Sequence, residues 1–420
     1  MNMKNHQLIE KWVPALRCGG FRAYLGTQFL SSMGAWAQSF TLAWVGMQIS
    51  DTTMMQGVLG FATYIPMTLL TLPAGALIDR MKKRSILLFS EILMMVLSCI
   101  LAAACFAGWM TYGFLLAGSI TYGVLMAFDL TARHTFIGEM VPGGAVRNAL
   151  ALNATASNIA RILGPLAAGF IMQYAGTGWA LLFNALTFIP FIGITGASKS
   201  GRIQPAIPKA NILRDMAAGF RQIAKDRVLL RMVISAFVVM TLVANYNILI
   251  PLTARDSLGL SEAGGGILMM WIGIGAILGS VFTVLTHGVS RKKGFFEAVC
   301  FIAAACTLFT GFGRDYLLTV MCLLAAGFTF VATTTLTNAS LQDRLPGEYR
   351  GRAVSVYSFI FAGSTPIGNL VAASMAEGRT PWHAWFWSGI ACLGLLCLIF
   401  ALFIILKRAK AGRTNGSHGL

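Results

Sequence analysis

The chain has 420 residues, 56% of them hydrophobic and 11% charged, with a formal charge of +17. Soluble domains are about 25% charged, so the composition excludes an ordinary soluble enzyme and a disordered chain alike. The eight cysteines include no CxxC pair and no Cys/His cluster, so they read as small packing residues, with neither a disulfide framework nor a metal site.

The first apolar run, about 21–49, is too long for a secretory signal core and lacks a small-residue cleavage site, so it reads as a membrane span. Eleven more follow at about 56–78, 85–108, 112–134, 149–174, 179–197, 229–251, 263–287, 295–313, 316–338, 353–375 and 382–406. Each can cross about 30 Å of hydrocarbon as a helix. The fold class read from them is an all-α membrane protein of twelve transmembrane helices.

Span 3 carries Glu91 about 10 Å from its start. Span 4 ends in AFDLTARHTFIGEMVP, where Asp129 and Arg133 share a face at i, i+4. Span 5 contains NIARILGPLAAGF, with Arg161 about 21 Å along the helix from Arg147 and hence near the bilayer middle. A charge there costs about 2.5–3.5 kcal/mol. Arg161 is therefore expected to face a cavity. There it attracts an anionic substrate or couples to a proton-binding group; the alternative is a structural tie between helices.

The connection 198–228 splits the spans six and six and divides the chain into 1–197, 198–228 and 229–420. Its NILRDMAAGFRQIAKD puts Ile212, Leu213, Met216, Ala217, Phe220, Ile223 and Ala224 on one helical face. That predicts an amphipathic helix on the membrane surface or a linker covering the bundle. In span 8, GAILG (275–279) is a small-residue packing pair.

Lys and Arg alternate between sides. Connections on one side, with both termini, hold 28, while the other side has Arg255, Arg314 and Arg379. The positive-inside rule then predicts cytoplasmic termini in a cell inner membrane. Basic residues spread over many short loops fit contact with anionic lipid, not nucleic acid. EMVPGGAVRNA (139–149) and DRLPGEYRGRA (343–353) align at an offset of 204 residues, as do Gly75 and Gly279. Each half is thus expected to be a six-helix copy of the other, with a site at the interface.

The 2–3 connection, GALIDRMKKRSIL (75–87), resembles the cytoplasmic signature of the major facilitator superfamily at Gly75, Leu77, Asp79, Arg80, Lys83, Arg84 and Leu87, with Lys82 in place of a glycine. The resemblance implies that Asp79 docks against the facing half and locks the outward-facing state. Arg133 is its expected basic partner. ARILGPLAAG (160–169) resembles the span 5 signature of exporters in that superfamily at Gly164, Pro165 and Gly169. The family packs this span against the other half on the outer side.

The stretch from 128 to 165, with F-D-x-x-A-R, E-x-V, N-A-x-A-L-N and A-R-x-x-G-P in order, resembles the enterobactin-exporter-like branch. By that resemblance the cavity is lined by spans 1, 4, 7 and 10. Those spans hold Gln28, Trp36 and Gln38; Thr121 and Tyr122; Asn245, Tyr246 and Asn247; and Thr333, Thr334, Thr335 and Asn338. Each of these is alternatively plain interhelical glue.

The expected function is secondary-active export of a small amphiphile, with a catecholate siderophore as the branch's named cargo. The expected mechanism is alternating access coupled to protons, without a cofactor, in a monomer. Glu91 and Asp129 are the candidate proton carriers; the alternative for them is a salt-bridge network with Arg133. Multidrug or macrolide efflux is the neighbouring reading, and a non-transporting receptor or scaffold the one from another class. No catalytic dyad, metal cluster or phosphate loop supports an enzyme.

Overall fold

A computed structural model describes residues 13–50, 52–78, 81–198, 212–285, 294–313 and 315–416. Asp79 and Arg80 lie outside the described residues.

The chain folds as α1 (Gly19–Ile49), α2 (Thr53–Ile78), α3 (Lys83–Phe106), α4 (Tyr112–Met140), α5 (Val146–Ala175) and α6 (Thr177–Ala197). Then come α7 (Ile212–Lys225), α8 (Arg227–Leu242), α9 (Tyr246–Leu252), α10 (Glu262–Leu285), α11 (Phe295–Phe312), α12 (Tyr316–Arg344), α13 (Gly347–Ala376) and α14 (Pro381–Gly416). Among the described residues there is no strand. Hydrocarbon offers no partner to a bare N–H or C=O, so apolar runs of this length satisfy their backbones internally as helices.

Each expected span coincides with a helix, except that span 7 is divided. Helix α8 stops at Leu242, the chain leaves helix near Ala244 and Asn245, and α9 resumes at Tyr246. Pro251 removes one backbone donor inside α9, and a π turn over Thr253–Ser257 follows it. Among the described residues nine helical segments are long and apolar enough to cross a membrane. Helices α1, α2 and α5 are not among the nine; in α1 and α5, Gln28, Gln38, Asn153, Asn158 and Arg161 lower the hydropathy.

Local chemistry sets the helix ends. Thr111 caps α4 by accepting from the Phe114 N–H (3.3 Å), and Asp315 caps α12 by accepting from Leu318 (3.0 Å). Gly176 turns α5 into α6 with φ +97°, a left-handed conformation that only glycine adopts without strain.

We call the end bearing the Lys/Arg-rich connections the basic face, and the opposite end the far face. The halves meet along two seams, α5 against α10 and α2 against α13. A Cβ on Gly169 would lie 2.5 Å from the Glu262 carbonyl oxygen, and one on Gly266 would lie 2.6 Å from that of Pro165. These contacts allow backbone-to-backbone approach.

Gly164 does something else. Its bare face meets Met33, Trp36 and Ala37 of α1, within its own half. The span 5 signature therefore divides its work, with Gly164 packing inside one half and Pro165 and Gly169 packing between halves.

The core follows the same division. The largest cluster lies toward the far face and draws on both halves: Phe40, Trp44 and Met172 from one, Leu249, Leu268 and Trp385 from the other. Toward the basic face each half has a core of its own. One contains Tyr24, Ile78, Leu87 and Phe136; the other contains Leu229, Val233, Leu341 and Tyr357.

Helix α7 packs on the second half. Ile223 is buried in that second core, Gly219 abuts the backbone of Arg352, and Asp215 pairs with Arg352 (2.8 Å). Phe220, expected on the same apolar face, remains exposed.

Candidate functional site

A cavity of about 580 Å³ lies among α1, α2, α4 and α5. It runs from Gln56 and Leu59, near the far face, to His134 and Leu150, near the basic face. The far end is closed by hydrogen bonds between the halves. The Trp44 indole donates to Glu262 (3.2 Å), Arg255 donates to the Met47 carbonyl (2.7 Å) and Ser261 donates to Gln173 (2.9 Å). The Met54 N–H also donates to Glu377. At mid-height, Asn247 donates to the Tyr64 hydroxyl and Thr68 to the Ala362 carbonyl, both at 3.0 Å.

Beside the cavity, on its basic side, is a buried ion cluster. The Arg133 Nε donates to Asp129 (2.6 Å), while its Nη2 pairs with Glu91 and donates to Ser31 (3.1 Å). The i, i+4 spacing on α4 brings Asp129 beneath Arg133. Helix α3 supplies Glu91, which is wholly buried, and the Phe191 ring lies 4.5 Å from the guanidinium carbon. Two carboxylates share one guanidinium, so the cluster becomes neutral only with one added proton. Removing such charges from water is expensive unless they are paired, and Asp129 keeps one oxygen without a hydrogen-bond partner.

Arg133, expected to face Asp79, is committed to Glu91 and Asp129. Lys83 pairs with Glu139 (3.4 Å), and Arg84 donates to the carbonyls of Thr195 and Gly196 at the end of α6. Gly75 has Thr131 of α4 in ordinary contact. These four described residues of the 2–3 region and α4 all bind within the first half.

Gln28, Trp36, Tyr122, Asp129, Arg133 and Arg161 line the cavity; Glu91 sits behind Arg133. Gln38 does not line it. It is buried in a tie of α1, α3 and α6, accepting from Asn184 and Ser98, each at 2.5 Å.

The second half departs most from expectation. Among the lining residues it supplies Asn247, Ile248 and Asn369. Asn245 turns away, donating to the Thr241 carbonyl (2.9 Å) at the α8 break, and Tyr246 packs edge-on to Phe330. Thr334 donates to its own helix at Val331 (2.9 Å), and Asn338 accepts from Gln342 (2.8 Å). Hydroxyls and amides satisfied within one helix have no need of a cavity. Thr121 is exposed on the outer surface of α4.

Ser39, Tyr64, Asn153 and Asn369 are among the lining residues that escaped the sequence reading. Polar residues amid GFATYIP and NALALNAT were the only available signal. Among the described residues no group of His, Cys, Asp and Glu could hold a metal ion.

A family model described as transmembrane secretion effector matches residues 9–418. The multidrug efflux pump Tap of Mycolicibacterium fortuitum is 24% identical over 350 residues, covering 80% of this chain and 83% of Tap. The staphyloferrin A transporter of Staphylococcus aureus is 20% identical over 405 residues, 94% of this chain and 99% of the relative. A variant of the nucleoside transporter NupG superposes with a TM-score of 0.75 at 13% identity, covering 92% of this chain and 100% of NupG.

Proposed function

Since the chain belongs to the transmembrane secretion effector family of the major facilitator superfamily, we propose that it is a secondary-active exporter of a small amphiphile. One observation carries the reading. The halves share a core and hydrogen bonds toward the far face but have separate cores toward the basic face, with the cavity between.

By the positive-inside rule the basic face, with both termini, is cytoplasmic. The cavity then loads from the cytoplasm. Rocking the halves breaks the far-side seam and releases cargo outward.

The Glu91–Arg133–Asp129 cluster supports proton coupling. It is one proton short of neutral, and Asp129 and Arg133 reach the cavity wall. A proton entering from outside neutralises it, and losing that proton inward restores the resting charge. Asp79 keeps its proposed role as the lock between halves, and the protein works as a monomer in a cell inner membrane.

The branch resemblance at 128–165 and the similarity to a staphyloferrin A transporter favour a siderophore, with a catecholate first. A second reading, multidrug or macrolide efflux, is favoured by the aromatic and methionine walls and by the similarity to Tap.

The test compares cells with and without the protein for retention of a catecholate siderophore and of several drugs, before and after the proton gradient is dissipated. The exporter reading requires faster loss of one class, abolished with the gradient. Equal retention of every compound would refute it. Loss that ignores the gradient would refute proton coupling alone.

A further inference from the structure

Arg161 is the cavity's remaining cation. Of the two arginines that line the cavity, Arg133 has carboxylate partners, whereas Arg161 forms no ion pair among the described residues. Its guanidinium carbon sits 4.6 Å over the Trp36 ring, and its electrostatic neighbours are the Tyr64 and Tyr246 hydroxyls. Its Nε is sealed off without an acceptor. The cation–π contact offsets only part of what the site costs, because a buried hydrogen bond is left unmade and the charge lies near the middle of the membrane.

Toward the basic face lies a second level. Gln28 and Asn153 each sit eight residues before Trp36 and Arg161 on their own helices, about 12 Å lower. Gln28 Oε1, Asn153 Oδ1 and Asp129 Oδ1 are all buried acceptors without a donor, and all three residues line the cavity. One level therefore lacks an anion and the other lacks donors. Trp36, Met94, Tyr122, Met126, Leu130 and Phe188 supply the walls between.

We propose that the cargo bears an anionic group, seated on Arg161 over Trp36, and a hydroxyl or N–H donor seated on Gln28, Asn153 and Asp129, joined by a flat apolar body. The proposal rests on the exporter reading for the word cargo; the binding geometry stands without it.

The probes are 6-hydroxy-2-naphthoate, its carboxamide and 2-naphthoate, titrated onto the full chain in lipid nanodiscs and followed by calorimetry. The wild type is expected to bind the hydroxy acid at least tenfold more tightly than the carboxamide and severalfold more tightly than 2-naphthoate. Arg161→Gln should erase the acid preference and leave the hydroxyl preference; Gln28→Leu should do the reverse. Arg161 has no acid to orphan, so Arg161→Gln is expected to melt near the wild type. Should it fail to fold, Arg161→Lys is read instead and must retain an acid preference. Equal binding of acid and carboxamide by the wild type, an acid preference that survives Arg161→Gln, or a folded Arg161→Lys without one overturns the proposal. Cells that retain every compound despite normal binding would instead sink the exporter reading.

Discussion

Helices α4 and α12 have the same length, 29 residues, and lie at an offset of 204 residues. At that offset Asp129 and Arg133 correspond to Thr333 and Thr337, and Ser31 corresponds to Ser235, all of them buried. The first half fills this layer with an ion cluster. The second fills it with hydroxyls: Thr337 donates to the Thr333 carbonyl at 2.8 Å. Among the described residues every buried charged side chain belongs to the first half. The lesson is a division of labour on one scaffold. The first half holds the fully buried charges and nearly all of the cavity, while the second serves as an uncharged counterpart in this layer that closes it.

Breaking the ion cluster tests this division most severely. Arg133→Leu leaves two buried carboxylates unpaired and should cost about 3–5 kcal/mol. Its counterpart Thr337→Val should cost about 1 kcal/mol or less. Thermal melts in detergent measure both, and similar losses would remove the asymmetry.

The seam gives the next largest effect. Gly169→Val wedges α5 from the Glu262 backbone, so a Ser39→Cys probe should be labelled from the far face about tenfold faster. That loss of far-side closure corresponds to about 1.4 kcal/mol. Gly327→Val, which strains only α12 against Ile272 of α10, should destabilise without that change. Faster labelling in both variants would mean that the seam holds no state.

Glu91→Gln sharpens the comparison. The substituted cluster is neutral without a proton, so transport should lose its pH dependence while binding persists. An unaltered pH profile would move the proton site elsewhere. Trp44→Phe removes one hydrogen bond across the far gate and should lower closure by about 1 kcal/mol, read as a modest rise in the same labelling.

The smallest effect falls outside the membrane, at Asp226. Burial pushes its carboxyl up. The Arg344 hydrogen bond, the Val228 and Leu229 N–H groups and the Arg344 charge together hold it below the usual carboxylate range. A depressed folded pKa stabilises above the unfolded value and is lost as pH falls through the folded one. Asp226→Asn should therefore lower the melting temperature slightly at neutral pH, by less than about 1 kcal/mol for so accessible a pair. In strong acid the difference should vanish.

Much of the site was legible in part. The i, i+4 spacing of Asp129 and Arg133 states that they share a face, and helical rise alone puts Arg161 near the bilayer middle. Spacing along one helix says nothing about its neighbours. A salt-bridge network of Glu91 and Asp129 with Arg133 was open from the sequence as an alternative, but only the fold decides for it, and nothing in the string of letters could tell that Gln38 ties α1 to α6 and avoids the cavity. Thr334 and Asn338 look like pocket residues for the same reason: a polar side chain in a span has either a cavity or its own helix to bond to.

What the sequence determined alone was the list of membrane helices and their alternating charge. These follow from local quantities, the length of apolar runs and the position of Lys and Arg, which a bilayer reads one segment at a time. The tertiary structure decided which face is sealed, which half supplies the cavity, and that Arg161 sits over Trp36 with no carboxylate partner among the described residues. Those outcomes depend on contacts between residues far apart in the chain, where glycines such as Gly169 and Gly266 let backbones meet and where a buried charge must find its partner in space.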